Sequence, residues 1–370
     1  MSNELNNKDE LPELEQEVAE EIDGQELVMI LSRYDIGAIQ RIKDYKKGSR
    51  HAPKLVICST KGRYLLKRRA AGRDNLDRVH FSHAVQKELG DHRFPVAGLI
   101  ETIDGKTLVE KDGRIYELFH FIHGHRFDKS NPAAADSGRV LAHCHDLLRD
   151  FSDEPAVYKK SYHQIESTQK ALSEMVDVLL RFESVEQVKG MEETTAYIGE
   201  QYEDAKKVTD SVGFSTLPTS VVHGDWHPGN MLYQDGDIVA VIDFDSLQVA
   251  QRITDLANGV LQFSMRMGID DVSNWPDSFR GHTIRSMVQG YNAFTTSPLL
   301  PSELSIIPPL MKEALIVESV FHVHKTGSFG TIAGSDFLRM IARKLKWLKA
   351  KTEQIVEVIQ PHKSSGDSFE

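Results

Sequence analysis

The chain has 370 residues, 40% of them hydrophobic and 27% charged, with a formal net charge of -11. That length allows one large or two ordinary domains around a buried core. No apolar run approaches the roughly 18 residues of a membrane span, and no basic-then-apolar leader opens the chain. Cys58 and Cys144 are the only cysteines, too few and too separated for a disulfide framework, so the expectation is a cytoplasmic protein without a membrane partner.

Residues 1–26 carry ten acids against the single base Lys8. Such a segment buries too little to offset its ordering entropy, and it reads as a disordered acidic tail. The remaining chain is close to neutral, which gives no reason to expect a nucleic-acid partner.

Residues 27–123 read as a β-rich N-terminal lobe. The runs GAIQRI, KLVICS, RYLLKR, TLVEKD and IYELFHFI are divided by Lys61-Gly62, Asp104-Gly105 and Asp112-Gly113. Asp-Gly between apolar runs signals a hairpin. One helical segment, NLDRVHFSHAVQKELGDH, interrupts them, so the lobe is expected to be a small antiparallel sheet carrying a single helix.

Residues 124–360 read as a mainly helical lobe. In SGRVLAHCHDLLRDF the apolar residues Val140, Leu141, Cys144, Leu147, Leu148 and Phe151 recur at helical spacing. ALSEMVDVLLRF, FRGHTIRSMVQGYNAF, MKEALIVESVFHV and DFLRMIARKLKWL behave alike. Within this half lies VVHGDWHPGNMLYQDGDIVAVIDFD, residues 221–245, read as two strands, SVVHG and IVAVIDF, joined through QDGD. Residues 361–370 read as a second flexible tail. The fold class is α+β, with two lobes.

Asp225, Asn230, Asp243 and Asp245 stand at the edges of two apolar runs, a placement that suggests chemistry rather than solvation. A carboxylate just past a strand can orient a hydroxyl nucleophile and take its proton. An amide oxygen and a second carboxylate are hard ligands suited to Mg²⁺.

HGDWHPGN resembles the catalytic loop of the aminoglycoside phosphotransferase and choline kinase superfamily, and VIDFD resembles its metal-binding segment. The resemblance runs in order over about residues 35–325. It implies a protein-kinase-like fold and a kinase that moves the γ-phosphoryl group of ATP, with Mg²⁺, to a hydroxyl of a small molecule. It implies Asp225 as the catalytic residue, Asn230 and Asp243 as metal ligands with help from Asp245, and Lys67 on the nucleotide phosphates. His223 would steady the loop, Asp255 would tie it down, and Trp226 would touch the substrate. The amides of Gly48 and Ser49 would cover the phosphates. Backbone groups from Phe119 to Phe121 would meet the adenine edge, with Leu118 or Phe121 on its face.

MVQGYNAFTTSPLLPSEL resembles the homoserine kinase type II and spore-coat-kinase branch. That points to a homoserine- or choline-like amino alcohol or a sugar-type acceptor. The helical half has only scattered acids, which does not suit a polycationic antibiotic. A choline site would need an aromatic cage, for which Trp226, Trp275 and Tyr291 are the candidates.

Two departures stand out. The place of the helix glutamate that pairs with the lysine falls near Ser82, where no acid stands, so the partner of Lys67 is open. The segment KDYKKGSRHAPK, where the phosphate-covering loop belongs, holds one glycine. Two other readings compete: a metal-dependent hydrolase using His223, Asp225 and His227, and a kinase-shaped binding protein without catalysis.

Overall fold

The computed structural model describes residues 21–45, 52–151, 161–269 and 271–360. Residues 1–20 and 361–370, read above as tails, and Gly48 with Ser49 lie outside the described residues.

The first element is α1 (Gly24–Leu31), which begins inside the segment read as tail. Asp23 accepts from the Gln25 and Glu26 amides, and Glu26 completes a capping box. Two acids in this stretch, Asp23 and Glu26, thus serve local structure and lobe contacts. Glu26 bonds Arg68 at 3.0 Å and also takes the Tyr116 hydroxyl, while Ile30 and Leu31 enter the core.

Five strands follow with one helix between them: β1 (Ile39–Asp44), β2 (Lys54–Ser59), β3 (Arg63–Arg68), α2 (Leu76–Asp91), β4 (Val109–Lys111) and β5 (Arg114–His120). They form one antiparallel sheet in the order β1-β2-β3-β5-β4, as the runs and turn signals predicted. Leu55, Ile57, Leu66 and Leu118 pack with α1 on one side of it. Asn75 caps α2.

The helical lobe opens with α3 (Asn131–Leu147), then the short α4 (Thr168–Ser173), α5 (Met175–Leu179) and α6 (Val185–Val188), and α7 (Met191–Ser211). Next come β6 (Thr219–Val222), β7 (Met231–Gln234), β8 (Asp237–Val241), β9 (Gln248–Gln251) and α8 (Ile253–Ser264). The chain ends in α9 (Gly281–Phe294), α10 (Pro301–Ser305), α11 (Ile307–Thr326), a two-residue-strand hairpin β10 (Ser328–Phe329) and β11 (Ile332–Ala333), and α12 (Gly334–Ile359). Among the described residues, no helix is long and apolar enough to cross a membrane.

The two-strand reading of residues 219–245 needs correction. β7 pairs with β8 across Asp235-Gly236, and β6 pairs with the later β9. Asp235 and Gly236 both have positive φ, 54° and 93°, the backbone of a primed hairpin turn. QDGD therefore joins β7 to β8. SVVHG ends in a loop that β9 clamps from the other side.

The tightest helix crossing is α3 on α9. A Cβ on Gly138 would lie 1.9 Å from the Met287 carbonyl oxygen, and one on Gly290 would lie 2.0 Å from that of Ala135. Both neighbours are backbone, so an added methyl must part the helices. Gly138→Ala is expected to lower stability by about 1–3 kcal/mol, read from urea midpoints.

His163 staples three elements. Its ring lies 3.0 Å from Glu313 in α11 and 3.0 Å from Asp210 in α7, and Thr209 also donates to Glu313 at 2.8 Å. Burial alone would lower the imidazole, but the two carboxylates outweigh it and raise its pKa. The staple is thus at full strength below the ordinary imidazole value and is lost as pH rises through the raised one. The stability gap between wild type and His163→Gln, measured in urea, should be wide at pH 6 and narrow at pH 9.

Candidate active site

Val221 and Val222 bury β6, and the chain leaves it at His223. The loop that follows is held by its own amides. Asp255, in the first turn of α8, accepts from His223 N–H at 2.6 Å and Gly224 N–H at 2.8 Å. Gly224 has φ 73°, and a Cβ there would meet the Ser246 carbonyl oxygen at 2.3 Å, so the position admits glycine alone. Asp225 comes next. Asn230 closes the single turn Pro228–Asn230 and its Nδ2 donates to Asp225 O at 3.0 Å and Oδ2 at 3.1 Å. His227 Nε2 lies 3.5 Å from Asp225 Oδ2. Burial would push the Asp225 carboxyl up, but His227 and Asn230 outweigh it and hold it below the usual carboxylate range. Asp225 is therefore an ionised group aimed into the cleft.

β8 ends at Val241, and Ile242 N–H donates to Asn230 O at 3.0 Å, which fixes the second acid segment against the first. Asp243 is left-handed, φ 66° and ψ 62°, and Phe244–Ser246 forms a tight turn. IVAVIDF, read above as one strand, ends at Val241, and this turn separates the surroundings of Asp243 and Asp245. The Asp243 side chain keeps 34% exposure, whereas that of Asp245 keeps 8%. Lys67 Nζ sits 3.3 Å from Asp243 Oδ1 and 2.8 Å from Asp245 Oδ2. Arg69 lies 3.1 Å from Asp245 and 2.7 Å from Glu117.

Asp243 and Asp245 thus take the place of the acid that α2 lacks, and Glu117 adds a buried negative charge opposite Lys67. It is the cross-strand partner of Lys67 in the β3–β5 register, fully buried, and paired with Arg69 and with His83 at 2.6 Å. Burial would raise its carboxyl, and the His83, Arg69 and Lys67 side chains bring it down. Ser82 does other work, donating to Phe244 O at 3.1 Å and so tying α2 to the acid turn.

The geometry accords with a family assignment. A model of the phosphotransferase enzyme family matches residues 44–297. The chain belongs to the phosphotransferase enzyme family. A homoserine kinase of Zymomonas mobilis subsp. mobilis is 25% identical over 238 residues, 64% of this chain and 69% of that protein. Among solved structures, a microcompartment-associated aminopropanol kinase matches with TM-score 0.66 at 14% identity, over 90% of this chain and 98% of that one. A spectinomycin phosphotransferase, solved with ADP and spectinomycin, matches with TM-score 0.65 at 16% identity, over 90% and 100%. These structures share the two-lobed kinase-like fold.

Several expected residues of this phosphotransferase land elsewhere. Trp226 was expected at the substrate, but it is fully buried and its Nε1 donates to Ser137 Oγ at 3.0 Å. It packs where Gly259 of α8 leaves room, a Cβ there meeting its ring at 2.8 Å. Tyr291 is fully buried too and bonds His145, so these two aromatics form core rather than a cage. Leu118 faces the core behind the sheet and cannot lie on adenine. Phe119 pairs with Leu65 inside the sheet. The Phe121 amide is already used by Arg63 O at 3.0 Å, which leaves the Ile122 and His123 amides as linker donors without a described acceptor. His223 is buried, its Nε2 donating to Ile242 O at 3.2 Å and its ring against Trp226 and Phe244. That is a loop-steadying position and does not suit a metal ligand. Among the described residues, no group of three or more His, Cys, Asp or Glu could hold a metal, so the hydrolase reading finds no support.

A cavity of about 380 Å³ opens beside Asp225, lined among others by Arg73, Tyr162, Gln248, Asn258 and Glu318. None of these five was picked out from sequence. Glu117 did carry a signal, as an acid inside the apolar run IYELFHF. Glu318 and Arg73 carried none, because the fold alone brings α11 and the turn after β3 to one wall.

The unequal exposure of the two acids gives a test. Asp245→Asn removes a buried counter-charge from both Lys67 and Arg69 and should cost about 3 kcal/mol or more. Asp243→Asn, at the more open acid, should cost clearly less. Urea denaturation of both variants measures the difference, and equal losses would contradict the division of roles.

Proposed function

We propose that the protein transfers the γ-phosphoryl group of ATP to a hydroxyl of a small amino-alcohol-type acceptor. The observation that carries the reading is the meeting of Asp225, Asn230, Asp243 and Lys67 in one cleft between the lobes. In this reading residues 27–123 form the nucleotide lobe and 124–360 the lobe that holds the catalytic loop and acceptor, in a cytoplasmic protein.

The acceptor oxygen attacks the γ-phosphorus, and the bond from that phosphorus to the bridging oxygen of ADP breaks in line. Asp225 accepts a hydrogen bond from the attacking hydroxyl, orients its lone pair and receives the proton late. Its lowered pKa suits orientation better than strong basicity. Lys67, buried and charged, faces the α- and β-phosphates. Burial disfavours its charge, but Asp245 and Asp243 restore it. The residues fit a hard divalent ion: Asp243 is ionised and part-exposed, and Asn230 spends only its nitrogen on Asp225, leaving its amide oxygen. A bound Mg²⁺ would neutralise phosphate charge as it develops. Asp245, held by Lys67 and Arg69, serves as their counter-ion. The non-catalytic reading is disfavoured because all three groups are present, with Asn230 bonded to Asp225 and Asp243 held by Lys67.

The amino-alcohol class draws on the matched homoserine kinase and aminopropanol kinase, joined to the acid-lined cavity beside Asp225.

Thermal unfolding with Mg²⁺ and ATP tests the nucleotide site. Saturation at a hundred times Kd should add about 2.7 kcal/mol to the wild type. Asp243→Ala should lose that shift, whereas Asp225→Asn should keep it while losing turnover by at least about a hundredfold. Full turnover in Asp225→Asn would overturn the mechanism.

A further inference from the structure

The cavity beside Asp225 carries two charges that the phosphoryl-transfer chemistry does not use. Glu318 projects from α11. Its two oxygens accept from the Tyr162 hydroxyl at 2.7 Å and from Gln262 Nε2 at 2.7 Å. Both donors are neutral, and no described lysine or arginine pairs with it. Burial and the nearby Asp225 charge push its carboxyl above the usual range, only partly opposed by Tyr162 and His227. His227 is committed to Asp225. Nearby on the same wall, Asn258 is 2% exposed and its Oδ1 has no hydrogen-bond partner among the described residues. A carboxylate without a counter-cation and a buried amide oxygen without a donor share one need: a cation bearing N–H groups.

Arg73 lines the same cavity from the N-terminal lobe. Its backbone is fixed, with N–H donating to Ala70 O at 3.0 Å and its carbonyl accepting from Arg69 Nη1 at 3.3 Å. Its guanidinium makes no ion pair with a described residue. A simple amino alcohol would give that guanidinium nothing to bind and would add a like charge beside it. A carboxylate suits its planar pair of donors.

We infer that the acceptor is a zwitterion, a small hydroxy amino acid whose ammonium is taken by Glu318 and Asn258 and whose carboxylate is taken by Arg73. This rests on the phosphotransfer reading and narrows it, since it excludes amino alcohols that lack a carboxylate as the preferred substrate.

Three acceptors that differ by one group each decide the matter. L-Homoserine has both charges, 3-amino-1-propanol lacks the carboxylate, and 4-hydroxybutanoate lacks the ammonium. L-Serine and L-threonine, with ethanolamine and 1-amino-2-propanol as their decarboxylated counterparts, extend the series. ADP release by the full-length chain with Mg²⁺ and ATP gives kcat/KM for each. At least one hydroxy amino acid should exceed its single-charge counterparts by about 30-fold or more. Arg73→Gln, at an exposed residue where misfolding is not a concern, should erase most of that preference. It should do so through the acceptor KM, with the ATP KM unchanged. Glu318→Gln should weaken both ammonium-bearing acceptors and leave 4-hydroxybutanoate as it was.

Equal or better use of an amino alcohol overturns the proposal. So does an Arg73→Gln variant that raises the ATP KM and keeps the preference, which would assign Arg73 to the nucleotide. Failure of every hydroxy amino acid overturns it as well. In each case the Mg²⁺-dependent ATP stabilisation reports separately on the underlying reading: if it persists, phosphotransfer stands and only the acceptor class falls.

Discussion

The active cleft depends on placing two cations, Lys67 and Arg69, in the interior without leaving either uncompensated. Both side chains are less than a tenth exposed. An isolated charge there would be lost to desolvation or would unfold the site. The solution is an alternating chain of charges, running from Asp243 through Lys67, Asp245 and Arg69 to Glu117, which His83 meets by a hydrogen bond. Its members come from β3, β5, α2 and the turn after β8. The network does little for net stability, since burying ion pairs roughly breaks even. What it secures is geometry, because none of the buried inner members, Lys67, Asp245, Arg69 and Glu117, can move without stranding a partner.

That constraint explains why the chain can lack a helix glutamate opposite Lys67. The fold needs a carboxylate near the lysine, and the element that supplies it is free to vary. Here β5 supplies Glu117 in register with Lys67, and the turn supplies Asp245. α2 contributes Ser82 and His83, a hydroxyl to the turn and a ring to Glu117. The helix still positions the site, by hydrogen bonds rather than by an ion pair of its own. Asp255 plays the matching part on the other side of the cleft, holding the catalytic loop by two amides.

Much of this was legible in the sequence where a local rule governs. The five sheet strands followed from the apolar runs between Asp-Gly and Lys-Gly turns, and α2 falls within the segment NLDRVHFSHAVQKELGDH read as helical. Asp225 and Asn230 were placed in one loop by the motif HGDWHPGN, and the structure bonds them to each other. Where the determinant was tertiary, the reading failed. Trp226 sits beside Asp225 in sequence, yet Gly259 and Ser137 draw it into the core. The acid count of the opening segment concealed a capping box, in which Asp23 and Glu26 are structural rather than solvating. The left-handed Asp243 could not be seen in DFD, because nothing local marks the residue at which a strand turns sharply. Glu318 and Arg73, 245 positions apart by their numbers, meet only because the lobes close on one another.

The same electrostatics bears on how the nucleotide enters. On the proposed function, ATP would bring several negative charges to a cleft whose acids already hold Lys67. Were Asp243 the sole partner of that lysine, binding phosphates would require breaking the pair and reorienting a flexible side chain. Asp245 removes that cost. It holds Lys67 at 2.8 Å and remains in place whichever way Asp243 turns, so the lysine is positioned before the phosphates arrive. Asp243, the more exposed of the two, would then be free to exchange the ammonium for a metal ion under the proposed function. In that reading the DFD triplet would separate two tasks that one acid could not perform together, steady compensation of a buried cation and exchangeable ligation in the cleft. The tight turn after Asp243 is what sets the two carboxylates in such different surroundings.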